Sequence, residues 1–143
     1  MSGAERRVLA VDLGTVRVGL ALSDPLGITA QPMGRVLRKD LRRDLRALID
    51  IVRANDVGVI VVGHPLLMSG VVGDSALQAQ AFADRLRAEV ACAVVLWDER
   101  LTTVQAQRAL IEGNVGRKSR RDLVDAAAAT LLLQSWLDAQ RRD

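Results

Sequence analysis

The chain has 143 residues, of which 50% are hydrophobic and 26% charged, and its formal net charge is +3. This length and composition predict one globular domain, residues 1–143, that buries roughly two-thirds of its unfolded surface. A single cysteine, Cys92, excludes a disulfide within the chain, and no apolar run approaches the roughly 20 residues that span a bilayer. We therefore expect a cytoplasmic protein with no membrane partner, and its Arg-rich clusters indicate a polyanionic partner.

The first part of the chain predicts three strands and a helix. Apolar stretches at 8–12 and 18–23 flank the turn LGTVRV, and a more polar strand follows at 28–37. Short strands in succession, joined by turns, are typical of a β-meander. Residues 40–54 then place leucines with helical spacing on one stripe, which predicts an amphipathic helix.

The rest of the chain alternates strands with helices. The predicted elements are a buried strand at 57–63, a helix capped by Asp74 or Ser75 that runs to about 89, a strand ending at Asp98, a helix capped by Thr102 or Thr103 that runs to about 111, and a helix at 120–140. The order is therefore βββαβαβαα. It predicts an α/β fold with a mixed five-stranded sheet and helices on both faces, which is the RNase-H-like topology.

Three acidic residues lie at the ends of apolar segments. Asp12 closes the strand VLAVD, Glu99 follows AVVLWD, and Asp125 begins the apolar face of DLVDAAAATLLLQSWL. A carboxylate at the end of a buried strand, or on the inner face of a helix, is costly unless a partner compensates it. Three such residues from distant segments indicate a shared partner, and a divalent cation is the simplest.

Two of these acids have a competing neighbour. Strand alternation puts Asp98 and Glu99 on opposite sides, so at most one of them points into a common site. Asp122 lies one helical turn before Asp125, and Ser119 with Asp122 can form a capping box, which gives Asp122 a structural role. Asp125 instead aligns with the apolar stripe that we expect to face the sheet.

Four segments resemble the motifs of one family. DLGTVRVGLALSD, GHPLLMSG, WDERLTTVQAQRAL and VDAAAATLLLQSWL look like the motifs of the YqgF/RuvX family of candidate pre-16S rRNA nucleases, also called Holliday-junction-resolvase-like proteins. The resemblance spans nearly the whole chain. It implies an RNase-H-like fold with Asp12, Glu99 and Asp125 as the metal-binding acidic set, and it favours Glu99 over Asp98. The chain departs from the family pattern at four positions, Val16 for Lys and His64, Leu67 and Ser69 for Leu, Asn and Asp.

The implied chemistry is metal-dependent hydrolysis of phosphodiester bonds. Two metal ions about 3.5 to 4 Å apart can activate a water molecule and stabilise the charge that develops on the phosphate and the leaving oxygen. In this interpretation Asp12 is catalytic and bridges both ions, while Glu99 and Asp125 each hold one. Carboxylate oxygens favour Mg²⁺ or Mn²⁺, and the sequence offers no His or Cys cluster for zinc.

Basic side chains near these acids are candidate substrate contacts. Arg100 can hold the scissile phosphate or form a salt bridge, and the basic run from 117 to 121 can contact a nucleic-acid backbone or remain solvated charge. His64 can act as a general acid or pack a loop. The candidate substrate-binding residues are Arg17, Arg100, Arg117, Lys118, Arg120 and Arg121.

The expected function is a metal-dependent endonuclease that acts on structured nucleic acid, with the 5′ end of pre-16S rRNA as the substrate that the family implies. Branched DNA such as a Holliday junction is the close alternative, because the same acidic site can cut either backbone. DLGT also resembles the phosphate loop of actin-like sugar kinases, although those enzymes need two such domains. A non-catalytic nucleic-acid or ribosome-binding module is the third alternative, and the sequence leaves a monomer and a homodimer equally open.

Overall fold

Five strands form one mixed sheet at the centre of the molecule. The computed structural model describes residues 6–101 and 117–141, with the backbone alone at 117–126. The sheet order is β3-β2-β1-β4-β5, in which β1–β2 and β2–β3 pair antiparallel and β1–β4 and β4–β5 pair in parallel. The strands are β1 Arg7–Leu13, β2 Arg17–Ser23, β3 Ala30–Leu37, β4 Val57–His64 and β5 Ala93–Asp98. Because β1, β4 and β5 run in the same direction, their carboxyl ends meet at one edge of the sheet.

The described helices cover both faces of the sheet. They are α1 Leu41–Ala54, α2 Asp74–Glu89 and α3 Arg117–Gln140, and a single 3₁₀ turn, Glu99–Leu101, follows β5. The predicted mixed sheet with helices on both faces is confirmed. None of these described helices is long and apolar enough to cross a membrane.

Strand alternation divides the core into two layers. Leu9 and Val11 of β1 face α1 and α2, whereas Val8 and Ala10 face α3. The α1/α2 layer is the larger, and each fully buried leucine in it contributes about 2 kcal/mol of transfer free energy. The α3 layer is built from Ala129, Leu132, Leu133 and Leu137 against the first, second and fourth strands.

The turn between β1 and β2 is held tightly. The Gly14 amide donates to the Arg17 carbonyl over 2.9 Å, and a Cβ at position 14 would lie only 2.6 Å from that oxygen. Arg38 donates to the Gly14 carbonyl over 2.9 Å and forms an ion pair with buried Asp44 at the start of α1. The end of β1 is therefore fixed from two sides.

Two predicted helix starts are wrong by a few residues. Gly73 is the N-cap of α2 and makes no side-chain cap bond, so Asp74 lies inside the first turn. α3 begins at Arg117 rather than 120, because Arg and Lys favour the helix and extend it toward the amino end. Ser119 therefore lies within the helix, and the predicted Ser119–Asp122 capping box is wrong. The helix predicted from Thr102 or Thr103 falls outside the described residues.

Candidate active site

Asp12 lies one residue before the carboxyl end of β1 and is 8% exposed. It continues the alternation of Val8 and Ala10, so its side chain is on the α3 face. Its cross-strand partner in β2 is Gly19. In the parallel pairing of β1 with β4, Val11 aligns with Val62, which makes Gly63 the next neighbour of Asp12. Glycines on both neighbouring strands leave room beside the Asp12 carboxylate.

Glu99 is brought to the same face by the turn that follows β5. A Cβ placed on Gly63 would lie 2.6 Å from Oε2 of Glu99 and 3.2 Å from Cδ2 of Leu132 in α3. The Glu99 carboxylate therefore lies directly over the Gly63 backbone. Asp12 and Glu99 thus flank one glycine, although they come from strands that are not neighbours in the sheet.

Gly63 is the functional residue that the sequence does not reveal as such. In the sequence it is only the glycine that ends the apolar strand predicted at 57–63. The structure gives it a steric role, because any larger residue would occupy the space that the Glu99 carboxylate fills. The local signal was the change from a continuous apolar run to glycine at the strand end.

Asp98 and Arg100 form a pair beside this site. The Asp98 carboxylate accepts from the Arg100 backbone amide over 2.9 Å and from Nη2 of the guanidinium over 2.7 Å. These Arg100 bonds hold the pKa of Asp98 below its ordinary value of 3.8. Asp98 therefore has a structural partner. Of the two roles considered for Arg100, a phosphate contact and a salt bridge, the structure contains the salt bridge. The guanidinium also lies against Gly70 of the β4–α2 connection.

His64 lies away from the two acids. Its Nε2 is 2.9 Å from Nε2 of Gln80 in α2, which is on the opposite face of the sheet from Asp12. This contact is of the kind expected if His64 packs against its surroundings, which was the alternative to a role as general acid. Arg17 begins β2, and its carbonyl oxygen accepts a hydrogen bond from the Gly14 amide.

Asp125 lies in α3, three residues before Ala128 and four before Ala129, which are both buried. Its side chain falls outside the description, as do those of Arg117, Lys118, Arg120 and Arg121. Among side chains that the structure does describe, no three His, Cys, Asp or Glu residues form a group able to hold a metal ion. The described pair, Asp12 and Glu99, offers carboxylate oxygens alone, which suit a hard cation such as Mg²⁺ or Mn²⁺.

Comparisons with known proteins identify the family of the chain. A family model described as RuvX, Holliday junction resolvase, matches residues 6–139. A relative from Koribacter versatilis, named as a candidate pre-16S rRNA nuclease, is 46% identical over 142 residues, covering 99% of this chain and 93% of the relative. A relative of the same name from Myxococcus xanthus is 45% identical over 135 residues, covering 94% of this chain and 89% of the relative.

Solved structures show the same fold at low sequence identity. RuvC from T. thermophilus, in complex with a Holliday junction substrate, has a TM-score of 0.60 and 13% identity and covers 95% of this chain and 97% of that one. The fowlpox virus resolvase in complex with Holliday junction DNA has a TM-score of 0.59 and 12% identity, covering 95% and 99%. The predicted RNase-H-like fold is thereby confirmed. By its family-model match and by relatives above 40% identity over nearly its whole length, the chain belongs to the RuvX family.

Proposed function

We propose that this chain is a metal-dependent endonuclease that hydrolyses phosphodiester bonds of structured nucleic acid. One observation carries the proposal. The sheet brings two carboxylates, Asp12 at the end of β1 and Glu99 in the turn after β5, to one face beside Gly63. Carboxylate oxygens are the ligands that a hard cation such as Mg²⁺ prefers. We also propose that the domain comprises residues 1–143.

The metal set that we propose is Asp12, Glu99 and Asp125. We assign the bridging role to Asp12, and we assign one ion each to Glu99 and Asp125. The bound Mg²⁺ or Mn²⁺ would supply an activated water and stabilise negative charge on the phosphate. The contribution of the chain is to fix the carboxylates on rigid strand ends, so that little rearrangement is needed on binding.

The proposed substrate is pre-16S rRNA, since relatives with 45% and 46% identity carry it in their names. We propose its 5′ end as the segment that is cut. A cytoplasmic location follows from such a substrate. We retain Arg17, Arg117, Lys118, Arg120 and Arg121 as backbone contacts. Arg100 keeps a place in this set through Nη1, since its bonds to Asp98 use the backbone amide, Nε and Nη2.

Branched DNA is the second candidate substrate. It is favoured by the description of the matching family model, Holliday junction resolvase. Both substrates present the same phosphodiester to the acidic site, so the choice between them depends on the shape of the nucleic acid rather than on the chemistry of cleavage.

A cleavage assay separates these possibilities. The purified protein would be incubated with a pre-16S rRNA fragment, a four-way DNA junction and plain duplexes of both kinds, each with Mg²⁺, with Mn²⁺ and with EDTA. We expect cleavage of the rRNA fragment that requires the metal. Preferred cutting of the junction would favour the resolvase function. Tight binding without cleavage under any metal condition would contradict the nuclease proposal and favour the non-catalytic module.

A further inference from the structure

A basic cleft lies between α1 and α2, on the sheet face opposite the acidic site. Its volume is about 300 Å³. The lining residues are Arg42, Leu45, Arg46, Ile49 and Arg53 of α1 with Arg85 and Glu89 of α2. Leu45 and Ile49 are buried in the core beneath it, so a ligand would meet four guanidinium groups and the single carboxylate of Glu89.

The four arginines differ from most other arginines of these elements in having no carboxylate partner. Arg43 of α1 pairs with Asp40, and Arg87 of α2 pairs with Asp84. Among the described residues, no ion pair or hydrogen bond engages the side chains of the four cleft arginines. Four like charges around one concave surface repel one another, and they create a focused positive potential that attracts an anion.

The spacing of the charges fits a phosphate backbone. Arg42, Arg46 and Arg53 follow one another at i, i+4 and i+11, which keeps them on one side of α1. At a rise of 1.5 Å per residue, the row is about 16 Å long, close to the length of about five phosphates at 3.4 Å per step of a duplex strand. Arg85 faces the row from α2. Guanidinium groups bind phosphate oxygens in a bidentate manner, so a clamp from two walls suits this ligand.

The cleft also opens toward the edge of the sheet that carries the acids. A second cavity of about 550 Å³ shares Arg85 with the first and extends to Leu13, the residue after Asp12. A nucleic acid that reaches the acidic site can thus pass around the end of β1 and enter the space between α1 and α2. The described residues that line the basic cleft include no aromatic side chain, which favours a duplex backbone over stacked single-stranded bases.

We infer that the cleft between α1 and α2 is a second nucleic-acid binding surface, which holds a helical arm of a folded substrate by its phosphates. The inference extends the proposed function, since it takes the substrate to be nucleic acid. The two surfaces lie on opposite faces of a sheet covered by helices about 10 Å in diameter, so a short hairpin reaches only one of them. A folded substrate with two arms can reach both.

Binding measured in EDTA tests the inference without relying on cleavage. The probes are a two-armed folded RNA, a four-way DNA junction and a short RNA hairpin, each titrated at several salt concentrations. The cleft variant combines Arg46→Gln with Arg85→Gln, one from each wall of the cleft, and glutamine preserves helix propensity. The matched control combines Arg43→Gln with Arg87→Gln, which removes the same charge from the same helices. Thermal melts check that both variants are folded.

We expect the cleft variant to bind the folded RNA about 20-fold more weakly at 0.15 M salt. The reason is that each lost phosphate contact reduces the slope of log binding constant against log salt concentration by about 0.8. Its salt slope should fall by about 1.6, while the control stays near wild type. The DNA junction shows whether the same arm site accepts DNA. Equal weakening of both variants, or of neither, would overturn the inference. Competition by poly-L-glutamate as strong as that by RNA would also overturn it, since it would indicate an acidic polypeptide.

The outcomes separate the two proposals. A protein that binds folded RNA through the cleft but never cuts it with Mg²⁺ or Mn²⁺ would retain the cleft and contradict the nuclease. A protein that cuts RNA but binds it equally well without the two arginines would retain the nuclease and contradict the cleft.

Discussion

The two faces of the sheet each bury an aspartate, but they do so in different surroundings. Asp44, on the α1/α2 side, is 3% exposed and accepts from Nε of Arg38 over 3.0 Å and from the Lys39 amide over 2.9 Å. Asp12, on the α3 side, lies between the backbones of Gly19 and Gly63 and near the carboxylate of Glu99. A buried carboxylate with a guanidinium partner is a structural feature, whereas one placed next to glycines and a second acid is suited to binding a cation.

The largest effect is expected at the acidic face. Asp12→Asn, Glu99→Gln or Asp125→Asn should reduce the cleavage rate by about 10³-fold, since a bound metal stabilises the transition state by several kcal/mol and each 1.4 kcal/mol is about tenfold. The melting temperature in EDTA should not fall, because neutralising one acid relieves the repulsion among like charges, which for a pair about 4 Å apart would be about 4 kcal/mol at an effective dielectric of 20.

The measurement is a cleavage time course together with thermal melts in EDTA and in Mg²⁺. Wild type should melt higher with Mg²⁺, and this increase should shrink in the variants. Variants that melt well below wild type in EDTA, or that still cut, would show that these acids are structural.

The opposite behaviour is expected on the other face. Asp44→Ala should lower the free energy of unfolding by about 3 kcal/mol, because it leaves Arg38 without its partner in a mostly buried site. For a chain of this size the melting temperature should fall by about 10 °C. Denaturant titration of Asp44→Ala measures the loss, with the exposed Asp50→Ala in the same helix as the control. A variant as stable as the control would remove the contrast between the two faces.

A smaller effect on catalysis is expected at Gly63. In Gly63→Ala the new methyl group would lie 2.6 Å from Oε2 of Glu99, so the carboxylate must move. A displacement of about 1 Å at a catalytic site costs about 10²-fold. We expect kcat to fall and the Mg²⁺ concentration for half-maximal activity to rise.

Gly73→Ala is the matched control, since its Cβ would meet nothing closer than 3.7 Å. If both glycine variants have the same kcat and the same Mg²⁺ requirement as wild type, the position of Glu99 does not depend on Gly63.

The smallest effect concerns the Asp98–Arg100 pair. The pKa of Asp98 is lowered by the Arg100 bonds, so the pair stabilises the folded state above the unfolded pKa, about 3.8, and the stabilisation is lost as the pH falls through the folded pKa. Wild type should therefore melt slightly above Asp98→Asn at pH 6, and the difference should vanish below that folded pKa. A difference that persists after Asp98 has been protonated in the folded state would assign the stabilisation to packing rather than charge.

The elements of the fold were largely predictable because their signals are local. Alternation around Leu9 and Val11, and the helical spacing of leucines in α1, each depend on residues a few positions apart. The helix starts were less predictable. Ser119 has the chemistry of a cap, yet the preceding basic residues extend α3 past it, because capping preference competes with helix propensity.

The candidate site was predictable only as a set of residue types. The position of Asp12 at a strand end followed from its sequence, and so did the opposite sides of Asp98 and Glu99. The pairing of Arg100 with Asp98 rather than with a phosphate was an open alternative, since both partners are chemically suitable.

The sequence by itself determined the strands, the helices, the family and the acidic residue types, because apolar periodicity and motifs are properties of short segments. Only the tertiary structure decided that Gly63 makes space for Glu99 and that arginines of α1 and α2 line one cleft. Both depend on residues far apart in the chain, and their apposition is set by sheet order and by how the helices pack on it. A glycine or an arginine has no local pattern that reveals what will lie beside it.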